Sequence, residues 1–396
     1  INREIAVFSN QQQVRLKSFL MQAYQEMPYA NFLKRNSAEY IISIQSHTGS
    51  YAAVLQICLK TLSELFMASV ILMLLAFTNG PALGLLVILL SVMVFGYDRL
   101  FRIKVRNYGE RSNKASVRMV QGIHEGIEGL KEIRILGKEH YFQEVVHKNA
   151  LEVAENQVKT LVISSSPRYL LEFILITFFV SLVAGSILIG QDLKSLIPTL
   201  GIFGIAALRI MPSANQFSSS LTQLRSMSHT ISILYDDMLT LKKQQLFNKT
   251  QLNPIKEEKE FYNLSINKIS FVYPNTEFAA LNDLSLKINK GESIGLIGPS
   301  GSGKTTLVDV LLGMLEPNEG SICYNGESLK ESLAIWRSQV AYLPQDVFLI
   351  DNTLRRNVAL GVIDKEIDDL RVDKALRKAR LIELVEQLPI GVNTML

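Results

Sequence analysis

The sequence predicts two successive territories: an all-α half that crosses a membrane, followed by an α/β half built around a phosphate-binding loop. Three observations carry that expectation. Stretches near 51–77, 80–97, 169–190 and 193–212 are apolar around their whole circumference, and each approaches the ~20 residues that a helix of ~1.5 Å rise needs to cross hydrocarbon. From about Phe261 the pattern changes to short alternating strands and helices. Within that second part, Gly298-Pro299-Ser300-Gly301-Ser302-Gly303-Lys304-Thr305-Thr306 follows the apolar run Ser293-Ile294-Gly295-Leu296-Ile297 and has the spacing G-x-x-x-x-G-K-S/T.

Bulk composition agrees with two territories. The 396 residues are 48% hydrophobic and 20% charged, with a mean hydropathy of +0.18. That is apolar for a soluble protein yet too charged for one lying wholly in a membrane. A net charge of +4 is too mild to indicate nucleic acid, and no aromatic interleaving or recognition motif accompanies the basic residues. The two cysteines, Cys58 and Cys323, fit no metal spacing and are read as buried free thiols. The chain starts at Ile1 with no basic-then-apolar signal segment and ends at Met395-Leu396, so both ends read as cuts.

Taken in order, residues 1–50 carry a helical period with many polar positions (Val14, Leu16, Phe19, Leu20, Ala23, Met27), interrupted at Pro28, and read as a soluble helical pair. The first span, about 51–77, has Lys60 and Glu64 as its charges, one turn apart and expected to pair with each other. Thr78-Asn79-Gly80-Pro81 supplies a tight turn into the second span. Residues 98–168 form a charged helical stretch with a basic cluster including Arg99, Arg102, Lys104, Arg106 and Arg111. The third and fourth spans are joined at Gly190-Gln191-Asp192. By the positive-inside rule, residues 1–50, 98–168 and everything after about 213 face the cytoplasm, while the two turns, free of Lys and Arg, face outward. After Pro212 a polar helix leads away from the membrane, and 239–260 reads as a linker broken by Pro254. The domains expected are therefore 1–238 and 261–396. Strands are expected over Leu264–Val272, Leu281–Ile288, Ser293–Ile297, Ser321–Tyr324 and Val340–Leu343.

The glycine-rich loop has a definite chemistry. Closely spaced glycines let consecutive N–H groups converge on one anion, and the helix that follows offers its positive N-terminal end. Lys304 would reach the outer phosphates and Thr305 would hold Mg²⁺.

With spans, linker and loop in this order, the chain resembles a half-transporter of the ABC exporter family, a helical membrane domain fused to an ABC ATPase domain. Tyr273, in Ile269-Ser270-Phe271-Val272-Tyr273-Pro274, sits where this family places an aromatic ring that stacks on adenine. Gln345, in Val340-Ala341-Tyr342-Leu343-Pro344-Gln345-Asp346, matches the Q-loop, whose side-chain amide contacts both Mg²⁺ and the attacking water. The resemblance implies ATP and Mg²⁺ as cofactors, Lys304 and Gln345 as catalytic groups, and Tyr273 with Gly298 to Thr306 as the ATP cradle. Two further stretches, Met27–Arg35 and Glu125–Glu139, resemble coupling elements that transmit ATPase closure to the spans. A signature of the LSGGQ type, a Walker B aspartate, a catalytic glutamate and a switch histidine do not occur in residues 1–396. The chain as given is expected to bind nucleotide weakly and not to turn it over. Because sites in this family are shared between domains, a second half-transporter is implied, most simply a second copy.

The membrane half also resembles bacterial flippases for lipid-linked oligosaccharides, through Asn36-Ser37-Ala38-Glu39, Ser166-Pro167-Arg168-Tyr169-Leu170-Leu171-Glu172 and Ala207-Leu208-Arg209-Ile210-Met211-Pro212-Ser213-Ala214-Asn215. Counted from the turn at Gln191, Arg168 and Arg209 fall roughly 27–35 Å inward, at the inner headgroup zone. They are candidates to hold a pyrophosphate. Snorkelling at the interface, or pairing of Arg168 with Glu172, is the other reading. The expected function is an ATP-driven exporter or flippase in a bacterial cytoplasmic membrane, acting on an amphipathic or lipid-linked substrate. Export of peptides, drugs or other lipids, or an anchored ATPase that regulates a partner, are the alternatives.

Overall fold

The computed structural model describes residues 1–188, 193–248, 260–274, 276–345 and 347–396; side chains at 193–196 and 244–248 fall outside the described set. The expected turn at Gly190-Gln191-Asp192 lies outside it too. Two compact units emerge, Ile1–Ala334 and Ile335–Leu396.

The described residues of the membrane half are almost all helical. Helix α1 (Asn2–Glu26) stops at Met27, which is extended because it precedes Pro28. A short α2 (Tyr29–Phe32) follows, then α3 (Ser37–Ile42), capped by Asn36, whose Oδ1 accepts from the Ala38 N–H at 3.0 Å. A π-helical turn, Ser43–His47, joins α3 to α4 (Thr48–Thr78). The expected turn is present: Asn79 Oδ1 accepts from the Ala82 N–H at 3.1 Å and starts α5 (Gly80–Glu128), with Pro81 in its first turn, where no N–H is missed. Gly129 and Gly137 bracket α6 (Leu130–Leu136), the latter left-handed at φ 61°. The chain returns through α7 (Glu139–Ser165) and α8 (Pro167–Leu188). Thus α2 and α6 occupy the two stretches that resemble coupling elements.

The last helix differs from expectation. A single α9 (Leu193–Asn248) runs through Pro198 and Pro212, so the fourth span and the polar helix after it are one rod, and 239–248 is helix rather than linker. In hydrocarbon a broken backbone finds no water, so a helix that accommodates proline costs less than one that ends there. Among the described residues, four helical segments, Ser37–Thr78, Gly80–Glu128, Glu139–Leu188 and Ile197–Lys243, are long and apolar enough to cross a membrane. Only 6% to 28% of each apolar window is buried within the chain, which leaves most of that surface for lipid or for protein outside this chain.

Three contacts fix how these helices pack. Leu75, Ala82, Leu86, Phe178, Phe203, Ala206 and Ile210 form one cluster among α4, α5, α8 and α9. At Gly109 the backbones of α5 and α9 touch, since an added Cβ would lie 1.9 Å from the Ser226 carbonyl oxygen. Nearer the cytoplasmic end, Leu16, Leu20, Ala23, Tyr24, Tyr40, Leu234 and Leu241 enclose Asp237, which is 3% exposed. Its carboxylate accepts from Tyr24 Oη at 3.1 Å, Ser43 Oγ at 3.4 Å and Arg35 Nη1 at 2.5 Å. Ser43 Oγ also lies 3.4 Å from His47 Nδ1, and His47 Nε2 lies 3.1 Å from Asn113 Oδ1 on α5. Burial, then the neighbouring Asp237 charge, push the Tyr24 phenol well above its ordinary value, so it serves as a donor throughout the physiological range.

In the second half, β1 (Asn263–Val272) lies between β2 (Ala279–Asn289) and β3 (Glu319–Tyr324), and β4 (Glu327–Ser328) extends the sheet in the order β2-β1-β3-β4, all antiparallel. Helix α10 (Lys304–Leu311) follows the loop, and α11 (Leu329–Gln339) follows β4. The second unit carries α12 (Leu354–Val358), α13 (Asp369–Lys378) and α14 (Ile382–Gln387) around Ile367, Val372 and Leu376. Two expected strands, Ser293–Ile297 and Val340–Leu343, are not formed. An apolar run becomes a strand only when neighbours take up its N–H and C=O groups. Among the described residues neither run joins a sheet ladder, and Ile297 and Leu343 are 100% and 84% exposed. The cysteines also depart from expectation: Cys58 is exposed on α4, and Cys323 is half-buried on β3.

Two outcomes follow for stability. Asp237→Asn, which removes the charge facing Arg35, is expected to cost about 1–3 kcal/mol, read as a lower unfolding temperature of the detergent-solubilised protein. Gly109→Ala forces α5 from α9 and is expected to cost at least about 2 kcal/mol, whereas Gly96→Ala, where a Cβ meets nothing within 4 Å, should be neutral.

Candidate nucleotide-binding site

The loop from Gly298 to Thr306 is shaped by its glycines. Gly301 and Gly303 take φ 79° and 87°, a region that penalises a Cβ. At Gly303 a Cβ would lie 2.4 Å from the Ala280 carbonyl oxygen on β2, so the loop can lie against the sheet only without a side chain there. The Ser302 N–H donates to the Pro299 carbonyl at 3.3 Å and closes the turn.

Lys304 folds over this turn. Its Nζ donates to the carbonyls of Gly298 at 2.8 Å and Pro299 at 2.7 Å, and lies 3.3 Å from Ser302 Oγ. The ammonium is thus held at the loop as a compact positive charge. Beneath it α10 begins at Gly303 with no side-chain cap, so first-turn N–H groups are left for an anion. Phosphate oxygens fit that donor set: backbone N–H groups, a helix N-terminus and a lysine, with no carboxylate bonded to the lysine among the described residues. Thr305 is exposed at the loop's rim, while Thr306, Leu307 and Val310 are buried and anchor α10.

Tyr273 lies just past the end of β1. Its ring stands edge-on to buried Phe271 with centroids 5.0 Å apart, and its hydroxyl is 3.1 Å from Thr306 Oγ1. Tyr273 and Gly298–Thr306 are therefore brought together, and the Thr306 contact is one that spacing did not indicate. Gln345 belongs to the second compact unit, where it is exposed at a bend; Asp346 beside it lies outside the described residues.

The candidate substrate residues of the membrane half are arranged differently. Arg168 Nε donates to Glu172 Oε1 at 3.1 Å, one turn along α8, so its guanidinium is shared. Arg209 is exposed on α9. The expected Lys60–Glu64 pair is not formed: Glu64 Oε2 accepts from Ser213 Oγ at 2.8 Å, and Lys60 is exposed. A single well-placed hydroxyl on a packed neighbouring helix competes well with a long, solvent-seeking lysine.

Residues 2–207 match the model of the ABC transporter transmembrane region, and residues 281–394 match that of the ABC transporter. The chain belongs to the ABC transporter family. Its transmembrane match covers the helical half and its ATPase match contains the loop, the arrangement of an exporter half-transporter. The transporter is an integral membrane protein with a cytoplasmic ATPase domain, and that domain type makes ATP the nucleotide.

Relatives fall into two kinds. An ATP-dependent lipid A-core flippase of Ralstonia nicotianae is 44% identical over 133 residues, 33% of this chain and 22% of that protein. One of Wigglesworthia glossinidia brevipalpis is 25% identical over 391 residues, 97% of this chain and 65% of that protein, so the transporter spans a little under two-thirds of that relative's length. A solved bacterial Atm1-family ABC exporter with ATP bound superposes at a TM-score of 0.78 with 16% identity, over 98% of this chain and 68% of that one. At that identity the likeness speaks for the fold.

Nucleotide titrations of the detergent-solubilised full-length transporter test the cradle. Lys304→Ala is expected to weaken ATP binding by about tenfold or more, the loss of charge-assisted contacts. Tyr273→Ala should cost about tenfold if the ring stacks on the base, while Tyr273→Phe stays within about twofold. A large loss in Tyr273→Phe would instead assign the work to the Thr306 contact.

Proposed function

We propose that the intact protein is an ATP-driven exporter or flippase that pairs with a second half-transporter, most simply a second copy, and moves an amphipathic or lipid-linked substrate out of the cytoplasmic leaflet of a bacterial cytoplasmic membrane. The observation that carries this is covalent: a phosphate loop with left-handed glycines and a lysine folded over its turn sits on the same chain as four membrane-length helices. An ATPase fused to lipid-embedded helices is suited to work on those helices. Gly298–Thr306 would hold the phosphates and Tyr273 would pack on the base; the family resemblance gives Thr305 and, separately, Gln345 to Mg²⁺, which would supply neutralisation of the charge on the transferred phosphoryl group. The sequences α2 and α6 carry closure to the helices.

The names of the relatives favour a lipid-type substrate, and we extend this to a lipid-linked oligosaccharide on the resemblance at Arg168 and Arg209. Of the two, Arg209 is the better phosphate ligand, since Arg168 is shared with Glu172. In proteoliposomes of the full-length protein, ATP should drive movement of a lipid-linked oligosaccharide between leaflets; ATP hydrolysis without movement of any amphipathic lipid would refute transport. Arg209→Ala should abolish the stimulation of ATPase by lipid-linked substrate and Arg209→Lys should retain part of it, whereas stimulation equal to the parent would remove Arg209 from the substrate site.

A further inference from the structure

Glu64, expected to pair with Lys60, has no part in the ATP site and instead joins a group of polar residues on two helices. Thr61 and Glu64 lie three positions apart on one face of α4, and Ser213, Gln216 and Ser220 share one face of α9. The two faces meet. Ser213 Oγ donates to Glu64 Oε2 at 2.8 Å, Thr61 Oγ1 donates to Ser220 Oγ at 2.7 Å, and Gln216 Nε2 donates to Ser220 Oγ at 3.1 Å. This polar seam runs between helices whose other contacts are apolar clusters.

Its depth makes the carboxylate unusual. Thr78 ends α4 fourteen positions beyond Glu64, about 21 Å at ~1.5 Å per residue, while the partner of Glu64, Ser213, lies about 33 Å from Gln191 along α9, so the pair sits in the inner part of the membrane, near the level of Arg209. A carboxylate there is costly and marks a pathway or binding site when no cation neutralises it. Among the described residues its one hydrogen-bond donor is the Ser213 hydroxyl, and no Lys or Arg pairs with it. Glu64 is half-buried, and among the described residues no donor is recorded at its other oxygen. Ser213 Oγ lies 3.4 Å from the Arg209 carbonyl as well, so the seam begins one turn from the arginine assigned to phosphate.

We infer that Glu64 is a specificity-determining residue that reads hydrogen-bond donors, hydroxyl or ammonium, on the substrate headgroup, next to the phosphate held at Arg209. The inference rests on the transport reading above and sharpens it: the preferred headgroup carries both a phosphate and a donor-bearing group. A headgroup that ends at the phosphate leaves the half-buried Glu64 carboxylate without a donor from the substrate and is disfavoured.

Three acyl-labelled lipids separate the possibilities: phosphatidylglycerol with hydroxyl donors, phosphatidylethanolamine with an ammonium, and phosphatidylmethanol, which has the charge of phosphatidylglycerol but no donor. Binding to the full-length protein in nanodiscs and ATP-driven movement in proteoliposomes are both measured. The parent should prefer the donor-bearing lipids by about tenfold, the value of a hydrogen bond to a charged group. Glu64→Gln, of nearly the same shape, should bring that preference within about twofold. Loss confined to phosphatidylethanolamine would identify an ammonium reader, and loss for both a general donor reader. No preference in the parent, or an unchanged preference in Glu64→Gln, overturns the inference. Should Glu64→Gln not fold, Glu64→Asp draws the carboxylate back and must weaken the preference; if it does not, the inference also fails. Selective binding without ATP-driven movement would leave the Glu64 site standing and refute transport instead.

Discussion

A carboxylate buried at the inner end of a helix must be partnered, and the cytoplasmic side of the membrane half is arranged around that requirement at Asp237. Its oxygens receive Tyr24 from α1, Arg35 from the segment after α2 and Ser43 from the π-helical turn, and the chain of contacts reaches α5 through His47 and Asn113. Arg35 is the partner that stays partly in water, its side chain 40% exposed, so the charge is compensated without being wholly desolvated. The apolar cluster of Leu16, Leu20, Leu234 and Leu241 supplies the packing; the carboxylate supplies direction, because only one arrangement of three segments satisfies it. The extra residue of the π-turn accompanies Ser43 and His47 at this junction, and such turns gather where local geometry serves a function.

The same logic of unsatisfied groups explains the other end of the chain. The phosphate loop keeps its backbone donors uncapped because glycine leaves them open, and Lys304 meanwhile rests on the loop's own carbonyls. The apolar runs Ser293–Ile297 and Val340–Leu343, before and after the loop in sequence, join no sheet among the described residues, since β-structure is a property of pairs and not of single segments. In the membrane half, Glu64 satisfies part of its requirement from α9 rather than from Lys60 on its own helix.

Much of the candidate site was legible from residue order. Gly298, Gly301, Gly303, Lys304 and Thr305 stand out in residue order because their pattern asks for backbone freedom and a charge, and Gly301 and Gly303 do take left-handed φ. What pairs with Tyr273, Glu64 or Asp237 was not legible, because each partner lies on another element: Thr306, Ser213 and the trio of Tyr24, Arg35 and Ser43. One signal for Asp237 was available. It falls between Leu234 and Leu241 at helical spacing, on the face that is buried. The continuity of α9 through Pro212 was hidden for the opposite reason, since proline reads as a break wherever water can take the freed carbonyl.

By itself, then, the sequence determined the two territories, the four membrane-length helices and the phosphate loop, because length, apolarity and glycine spacing are local properties that no fold can revise. Tertiary structure alone decided which charges are partnered across helices, where the last helix ends and which apolar runs become strands. Those outcomes depend on groups far apart in the chain meeting at hydrogen-bonding distance, and a one-dimensional pattern does not record which ones meet.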